Sequence, residues 1–176
     1  MKRILALGAS SSKKSINRQL ADYAASRVAG AKVTLLDLND FEMPIFSVDK
    51  EAEMGSPSEA VKFKQHIKDA DGIIISFAEH NGSFSAAYKN IIDWTSRIEG
   101  KLWEGKVLFL LATSPGGRGG QTALASAVNG YPHMGGELAA QFSLPSFNAN
   151  FNDGAIIDGE LLTEFNKQLE AFQANL

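Results

Sequence analysis

The chain has 176 residues, 44% of them hydrophobic and 21% charged, which suits a single soluble domain over 1–176 with a substantial core. A formal net charge of -3 lacks the basic excess of a general nucleic-acid binder, and the absence of cysteine excludes disulfides, thiolate metal sites and thiol nucleophiles while fitting a reducing compartment. Only a few apolar residues lie between Arg3 and Gly8, too few for a signal-peptide core or a membrane span, so the expected location is the cytoplasm, away from any membrane.

Short apolar runs alternate with segments of helical period. Residues 4–7 read as a first strand and 15–28 as a helix, its buried stripe made by Ile16, Leu20, Tyr23, Ala24 and Val28, with Gly30 as its stop. Residues 32–38 form a second strand. A loop holding Pro44, Gly55 and Pro57 follows, then a helix over 58–70 with Ser58 as its N-cap. Residues 72–77 carry three isoleucines without alternation, the mark of a strand buried on both faces. A helix is expected over 83–98, capped by Ser83, an unbroken apolar strand over 106–112, and a helix over 121–128. A last strand falls at 138–144 and a closing helix at 157–172.

Five β-α units with continuous apolar strands predict an α/β three-layer sandwich: a five-stranded parallel sheet, helices on both faces, and the flavodoxin-like order 2-1-3-4-5. Ligands of such sheets bind beyond the carboxyl ends of the strands, where the winding reverses. That singles out the loops after the first, third and fourth strands.

The first loop, GASSSKKSIN, runs into a helix start, where unpaired backbone N–H groups favour an anion. Ser10, Ser12, Ser15, Ile16 and Asn17 are its candidates. Neither the Walker pattern nor G-x-G-x-x-G is present, and Ser15 serves equally well as a plain helix cap. The second loop places Glu79, His80, Asn81, Gly82 and Ser83 at the end of a central strand; Asn-Gly is also an ordinary turn, and no second histidine or carboxylate stands at metal-ligand spacing. The third loop has four glycines in five residues after Ser114 and Pro115, so Gly116 and Gly117 allow close backbone approach to a ligand, or simply flexibility. Three loops at one edge suit a mononucleotide with a planar ring.

The three motifs together resemble those of the NAD(P)H-dependent FMN reductase family, which includes quinone, chromate and azo-dye reductases. Ser10, Ser15 and Asn17 match its G-S-x-R-x-x-S-x-N motif, with Ser12 in place of arginine and Lys13 or Lys14 available as substitutes. Glu79, Asn81, Gly82 and Ser83 match T-P-E-Y-N-G-S, with Ala78 for proline and His80 for tyrosine, and Lys89, Asn90, Asp93 and Trp94 follow as K-N-x-x-D-W. Ser114, Pro115, Gly116, Gly119 and Gly120 match S-P-G-x-x-G-G. The resemblance implies non-covalent FMN with its phosphate on the first loop and its ring against backbone groups of His80, Asn81, Gly82 and Ser114 to Gly117. It implies NAD(P)H as co-substrate and a small-molecule acceptor: a quinone, free flavin, azo compound or metal oxyanion. The flavin carries the chemistry, so no catalytic side chain and no metal are expected. A homodimer or homotetramer is expected, the helix over 83–98 carrying more apolar residues than one sheet face needs. Trp94, Trp103 and Tyr131 read as core, Trp94 alternatively as part of a dimer surface, and Arg118 as a solvated arginine or a contact to a 2′-phosphate. Two rivals remain: a non-enzymatic flavodoxin-type electron carrier, and a module that has lost flavin affinity.

Overall fold

The computed structural model describes residues 1–176. Five parallel strands, β1 (Arg3–Ala9), β2 (Lys32–Leu36), β3 (Gly72–Phe77), β4 (Val107–Thr113) and β5 (Glu137–Leu144), pair in the order β2-β1-β3-β4-β5. The flavodoxin-like order read from the sequence is the order observed. Side chains alternate between the two faces of a strand, and here both faces are apolar. Leu5, Leu7, Ile73, Ile75, Leu108 and Leu110 enter one core. Their neighbours Ile4, Ala6, Ile74, Phe109 and Leu111 enter the other. That double burial is why the isoleucine run of β3 shows no polar alternation.

Helices α3 (Ser58–Asp69), α4 (Ala86–Thr95) and α5 (Gln121–Gly130) cover the first core, while α1 (Ile16–Ser26) and α7 (Gly159–Ala174) cover the second. Chain order runs outward from β1 to β2, then returns to β3 on the other side of β1. The winding therefore reverses between β1 and β3, and their loops diverge there.

Several boundaries differ from the sequence reading. The second strand stops at Leu36, because Asp37 turns the chain and caps a 3-10 turn at Leu38–Phe41. A helix absent from the reading, α2 (Val48–Met54), lies in the loop that follows, capped by Ser47; it buries none of its residues, so it has no apolar stripe to read. Pro57, not Ser58, takes the N-cap position of α3. The first helix ends at Ser26, and Gly30 makes its turn at φ 67° beyond the helix. A short helix α6 (Phe147–Asn150) and a two-residue hairpin, β6 (Phe151–Asn152) with β7 (Ala155–Ile156), also fall outside the predicted elements.

Trp94, Trp103 and Tyr131 are all core residues. Trp94 is fully buried within its own chain: its Nε1 donates to the Pro44 carbonyl at 2.7 Å and its ring meets Phe46 edge-on at 5.0 Å. The residues before α2 thus cover the apolar surplus of α4, and Trp94 is not available to a dimer surface.

Candidate functional site

The site starts from a glycine. Gly8 lies against the first turn of α1, where a Cβ would stand 2.3 Å from the Arg18 nitrogen and 2.5 Å from its Cα. With no side chain there, β1 runs directly under the start of α1. Ser15 is the N-cap, its Oγ accepting from the Arg18 N–H at 3.1 Å. Ser15 N–H is used by the Ser12 carbonyl and Ser12 N–H by Ser10 Oγ. Those of Ser11, Lys13, Lys14, Ile16 and Asn17 meet no acceptor in the chain. A helix start with unclaimed N–H groups, beside Lys13 and Lys14, is electropositive.

A cleft of about 300 Å³ opens here at the carboxyl edge of the sheet. The first loop supplies Ser10, Ser12, Lys14, Ser15, Ile16 and Asn17 to its wall. The second supplies Ala78, Glu79 and His80, and β4 with the third loop adds Thr113, Ser114 and Pro115. The three loops singled out in the sequence do converge. Asn81, Gly82, Ser83, Gly116 and Gly117 are exposed at the loop tips beside this wall rather than in it.

Hydrogen bonds reassign several of the predicted roles. Asn17 is buried, and its amide is tied to the sheet: Nδ2 donates one hydrogen to the Thr113 carbonyl at 3.1 Å, while Oδ1 accepts from Thr113 N–H at 3.1 Å and Ser76 Oγ at 2.7 Å. Its carbonyl oxygen is therefore taken up by the sheet, while the second Nδ2 hydrogen and the backbone N–H have no acceptor in the chain. Glu79 is similarly occupied. Its Oε2 accepts from the N–H groups of Thr122 and Ala123, at 2.9 and 3.1 Å, which caps α5 where Gly120 offers no side-chain cap. The carboxylate joins the second loop to the third.

His80 to Ser83 is a tight turn in which His80 N–H donates to the Ser83 carbonyl and Ser83 N–H returns to the His80 carbonyl, at 2.9 and 3.1 Å. Asn81 and Gly82 both have positive φ, 53° and 73°, the signature of a type I′ turn. The His80 N–H is spent within the turn, so of the ring contacts expected from His80, Asn81 and Gly82 only the last two N–H groups remain free. Ser83, read as the cap of the helix expected over 83–98, belongs to this turn. The cap is Ser85, whose Oγ accepts from Tyr88 N–H and donates to the Ala9 carbonyl at 2.8 Å. Two serines two residues apart are indistinguishable by pattern alone.

Beneath the turn, Phe84 packs on Phe77 and Tyr88, with ring centroids 5.2 and 5.6 Å apart. The hydroxyls of Tyr88 and Tyr131 meet at 2.5 Å, and burial pushes the Tyr88 phenol well above its ordinary pKa, so it remains neutral. The base of the second loop is therefore packed into the first core.

The glycines of the third loop divide in two. A Cβ on Gly119 would stand 2.4 Å from Ser143 Oγ and 3.0 Å from the Pro145 nitrogen, so that glycine serves packing. Cβ atoms on Gly116 and Gly117 would meet nothing nearer than 3.9 and 4.0 Å, and their N–H groups have no acceptor in the chain. Arg118 is exposed and donates to Thr122 Oγ1 at 3.0 Å. Ser76, Ser85 and Thr113 escaped the sequence reading. Each lies at a strand or helix end, and only its long-range partner marks it out.

The model of the family described as NADPH-dependent FMN reductase matches residues 2–151, and the chain belongs to that family. It is 36% identical over 114 residues to a 2-hydroxy-1,4-benzoquinone reductase of Burkholderia sp, covering 64% of this chain and 60% of the relative. It is 36% identical over 110 residues to an NADPH azoreductase of Bacillus sp., covering 62% and 57%. The matching stretch thus spans about six tenths of the length of these curated relatives. Among solved structures, the flavoenzyme NAD(P)H:(acceptor) oxidoreductase FerB from Paracoccus denitrificans is similar over 99% of this chain and 96% of its own, with a TM-score of 0.78 and 26% identity.

Proposed function

We propose that this member of the NADPH-dependent FMN reductase family binds FMN non-covalently in the cleft and passes reducing equivalents from NADH or NADPH to a small-molecule acceptor. The observation that carries the reading is the convergence at the β1–β3 switch point of two sets of unclaimed donors: a helix start with free N–H groups and a glycine loop open to close approach. These suit the two ends of FMN. The N–H groups of Ile16 and Asn17, the hydroxyls of Ser10, Ser12 and Ser15, and Lys14 in place of the family's arginine would hold the phosphate. The N–H groups of Asn81, Gly82, Gly116 and Gly117 would meet the ring edges. FMN when bound supplies the hydride chemistry, and the protein binds, orients and tunes it. Quinones and azo compounds are the acceptors suggested by the names of its relatives. Dependence on a nicotinamide co-substrate supports a cytoplasmic location, where that cofactor is recycled.

The carrier reading is weaker. A carrier that shields its flavin needs aromatic side chains over the ring, and the cleft wall contains no Phe, Tyr or Trp. His80 is its only flat side chain, so a ring face stays open to nicotinamide.

A homodimer remains the expected assembly, on a surface that α4 shares with the segment before α2 and with α2 rather than on the buried Trp94. Ile45, Val48 and Met54 are 69%, 66% and 51% exposed, and Ile45 lines a groove of about 290 Å³ with Phe41, Met43, Ala86 and Ile91. Light scattering of wild type against Ile45→Glu/Val48→Glu tests it: a dimer that the double variant splits is expected, and a wild-type monomer at micromolar concentration removes the claim.

The decisive experiment is anaerobic. NADH or NADPH should bleach a yellow protein directly, and a quinone should restore the colour. Reduction by dithionite but by neither nicotinamide would make the carrier reading correct. Colourless protein that refuses added FMN would favour a module without flavin.

A further inference from the structure

His80 and Lys14 are the ionisable side chains of the cleft wall that make no hydrogen bond or ion pair within the chain, and His80 alone of the two stands on the second loop. Its main chain is pinned by both hydrogen bonds of the type I′ turn, yet its imidazole makes no hydrogen bond within the chain and is exposed. The other two charged groups of the wall have different settings. Glu79 is bound by two N–H groups of α5, and Lys14 stands at the helix start where an anion is favoured. The third loop brings only Ser114 and Pro115 to the wall, and Arg118 of that loop is held by Thr122. The motif that this segment resembles has tyrosine at the position of His80. A phenol keeps its proton to about pH 10, whereas histidine is the side chain that exchanges one across neutral pH.

Two-electron reduction of a quinone consumes one hydride and one proton. The hydride and its electron pair convert the quinone to a hydroquinone monoanion, and the neutral product needs one further O–H bond. We infer that His80 supplies this proton, as a catalytic residue for quinone acceptors. The imidazolium N–H bond breaks, the hydroquinone O–H bond forms, and the neutral imidazole, open to solvent, is reprotonated from water. An acceptor that takes single electrons and no proton, such as ferricyanide, makes no such demand. The inference rests on the reductase reading and divides acceptors into two classes by their need of His80.

The test uses the FMN-loaded protein and two variants, His80→Phe and His80→Gln, the second keeping a planar polar side chain without an exchangeable charge. Protein reduced by one equivalent of nicotinamide is mixed with 1,4-benzoquinone or ferricyanide from pH 5 to 8.5, and the return of colour is followed. General acid catalysis typically contributes 10²–10⁴-fold. The ratio of the benzoquinone rate to the ferricyanide rate should therefore fall at least tenfold in both variants at pH 6. In wild type this ratio should decline as pH rises, and in the variants it should be flat. A readout free of turnover is the NMR titration of the His80 imidazole with and without 4-nitrophenol, whose anion mimics the hydroquinone anion. The imidazole should keep its proton to higher pH when the phenolate is bound. An unchanged rate ratio in both variants, or an imidazole indifferent to 4-nitrophenol, overturns the inference. Failure of wild type to be reduced by either nicotinamide overturns the reductase reading instead.

Discussion

Replacing Asn17 by alanine should damage the fold before it damages the site. The amide makes three buried hydrogen bonds, two to the Thr113 main chain and one to Ser76 Oγ, across 96 and 59 residues of sequence. Alanine would leave an N–H, a carbonyl and a hydroxyl without partners inside the protein. Each such group costs about 1–3 kcal/mol, and some relief from repacking or an entering water brings the expected loss to about 3–5 kcal/mol. A domain of this kind is stable by only about 5–15 kcal/mol, so the variant should lose much of its margin. Urea unfolding followed by the fluorescence of buried Trp94 and Trp103 measures it directly. Asn17→Asp sharpens the test. The aspartate still accepts from Thr113 N–H and Ser76, but its second oxygen faces the Thr113 carbonyl, so the folded state favours the protonated acid and its pKa rises above the unfolded value of about 3.9. The aspartate variant should come closest to wild type at low pH and lose stability as pH climbs from the unfolded pKa through the folded one. An alanine variant within about 1 kcal/mol of wild type, a typical single net hydrogen bond, would refute the assignment of Asn17 as the tie between the first loop and the sheet.

Three other outcomes follow from the same contacts. Ser15→Ala removes the N-cap of α1 and should cost about 1 kcal/mol in urea unfolding; if the hydroxyl also meets the phosphate, FMN affinity falls by roughly one to two decades while riboflavin affinity barely moves in fluorescence titration. Glu79→Ala should lower stability by about 2 kcal/mol through two lost charged bonds at the start of α5, with FMN affinity largely retained after correction for unfolded protein. Lys64 is buried, with Nζ 2.7 Å from Glu104 Oε1 and bonded to the carbonyls of Lys101 and Leu102. The hydrogen bond from Lys64 holds the Glu104 carboxyl below its usual pKa, so the pair's stability is present above the unfolded carboxylate value and is lost as pH falls through the depressed one. Lys64→Met should remove that component of the acid limb in pH-dependent unfolding.

The sequence by itself determined the layers. Strands without polar alternation are buried on both faces, so the runs of β1, β3 and β4 already pointed to a sheet with helices on either side, and the repeated β-α alternation pointed to the parallel order. It also determined which loops meet, because the carboxyl ends of parallel strands lie on one edge. It did not determine which atoms in those loops stay free. Asn17, Glu79 and the His80 main chain look like ligand groups in sequence. In space the first belongs to β3 and β4, the second to the start of α5, and the third to its own turn. Likewise Trp94 looked available to a second copy until Pro44 and Phe46 covered it. A buried polar atom must find a partner, and the partner is chosen by proximity in the fold, 43 to 96 residues away for the side chains of Asn17 and Glu79. Periodicity records which face of an element is apolar; it carries no record of which distant donor or acceptor the folded chain brings beside a given side chain.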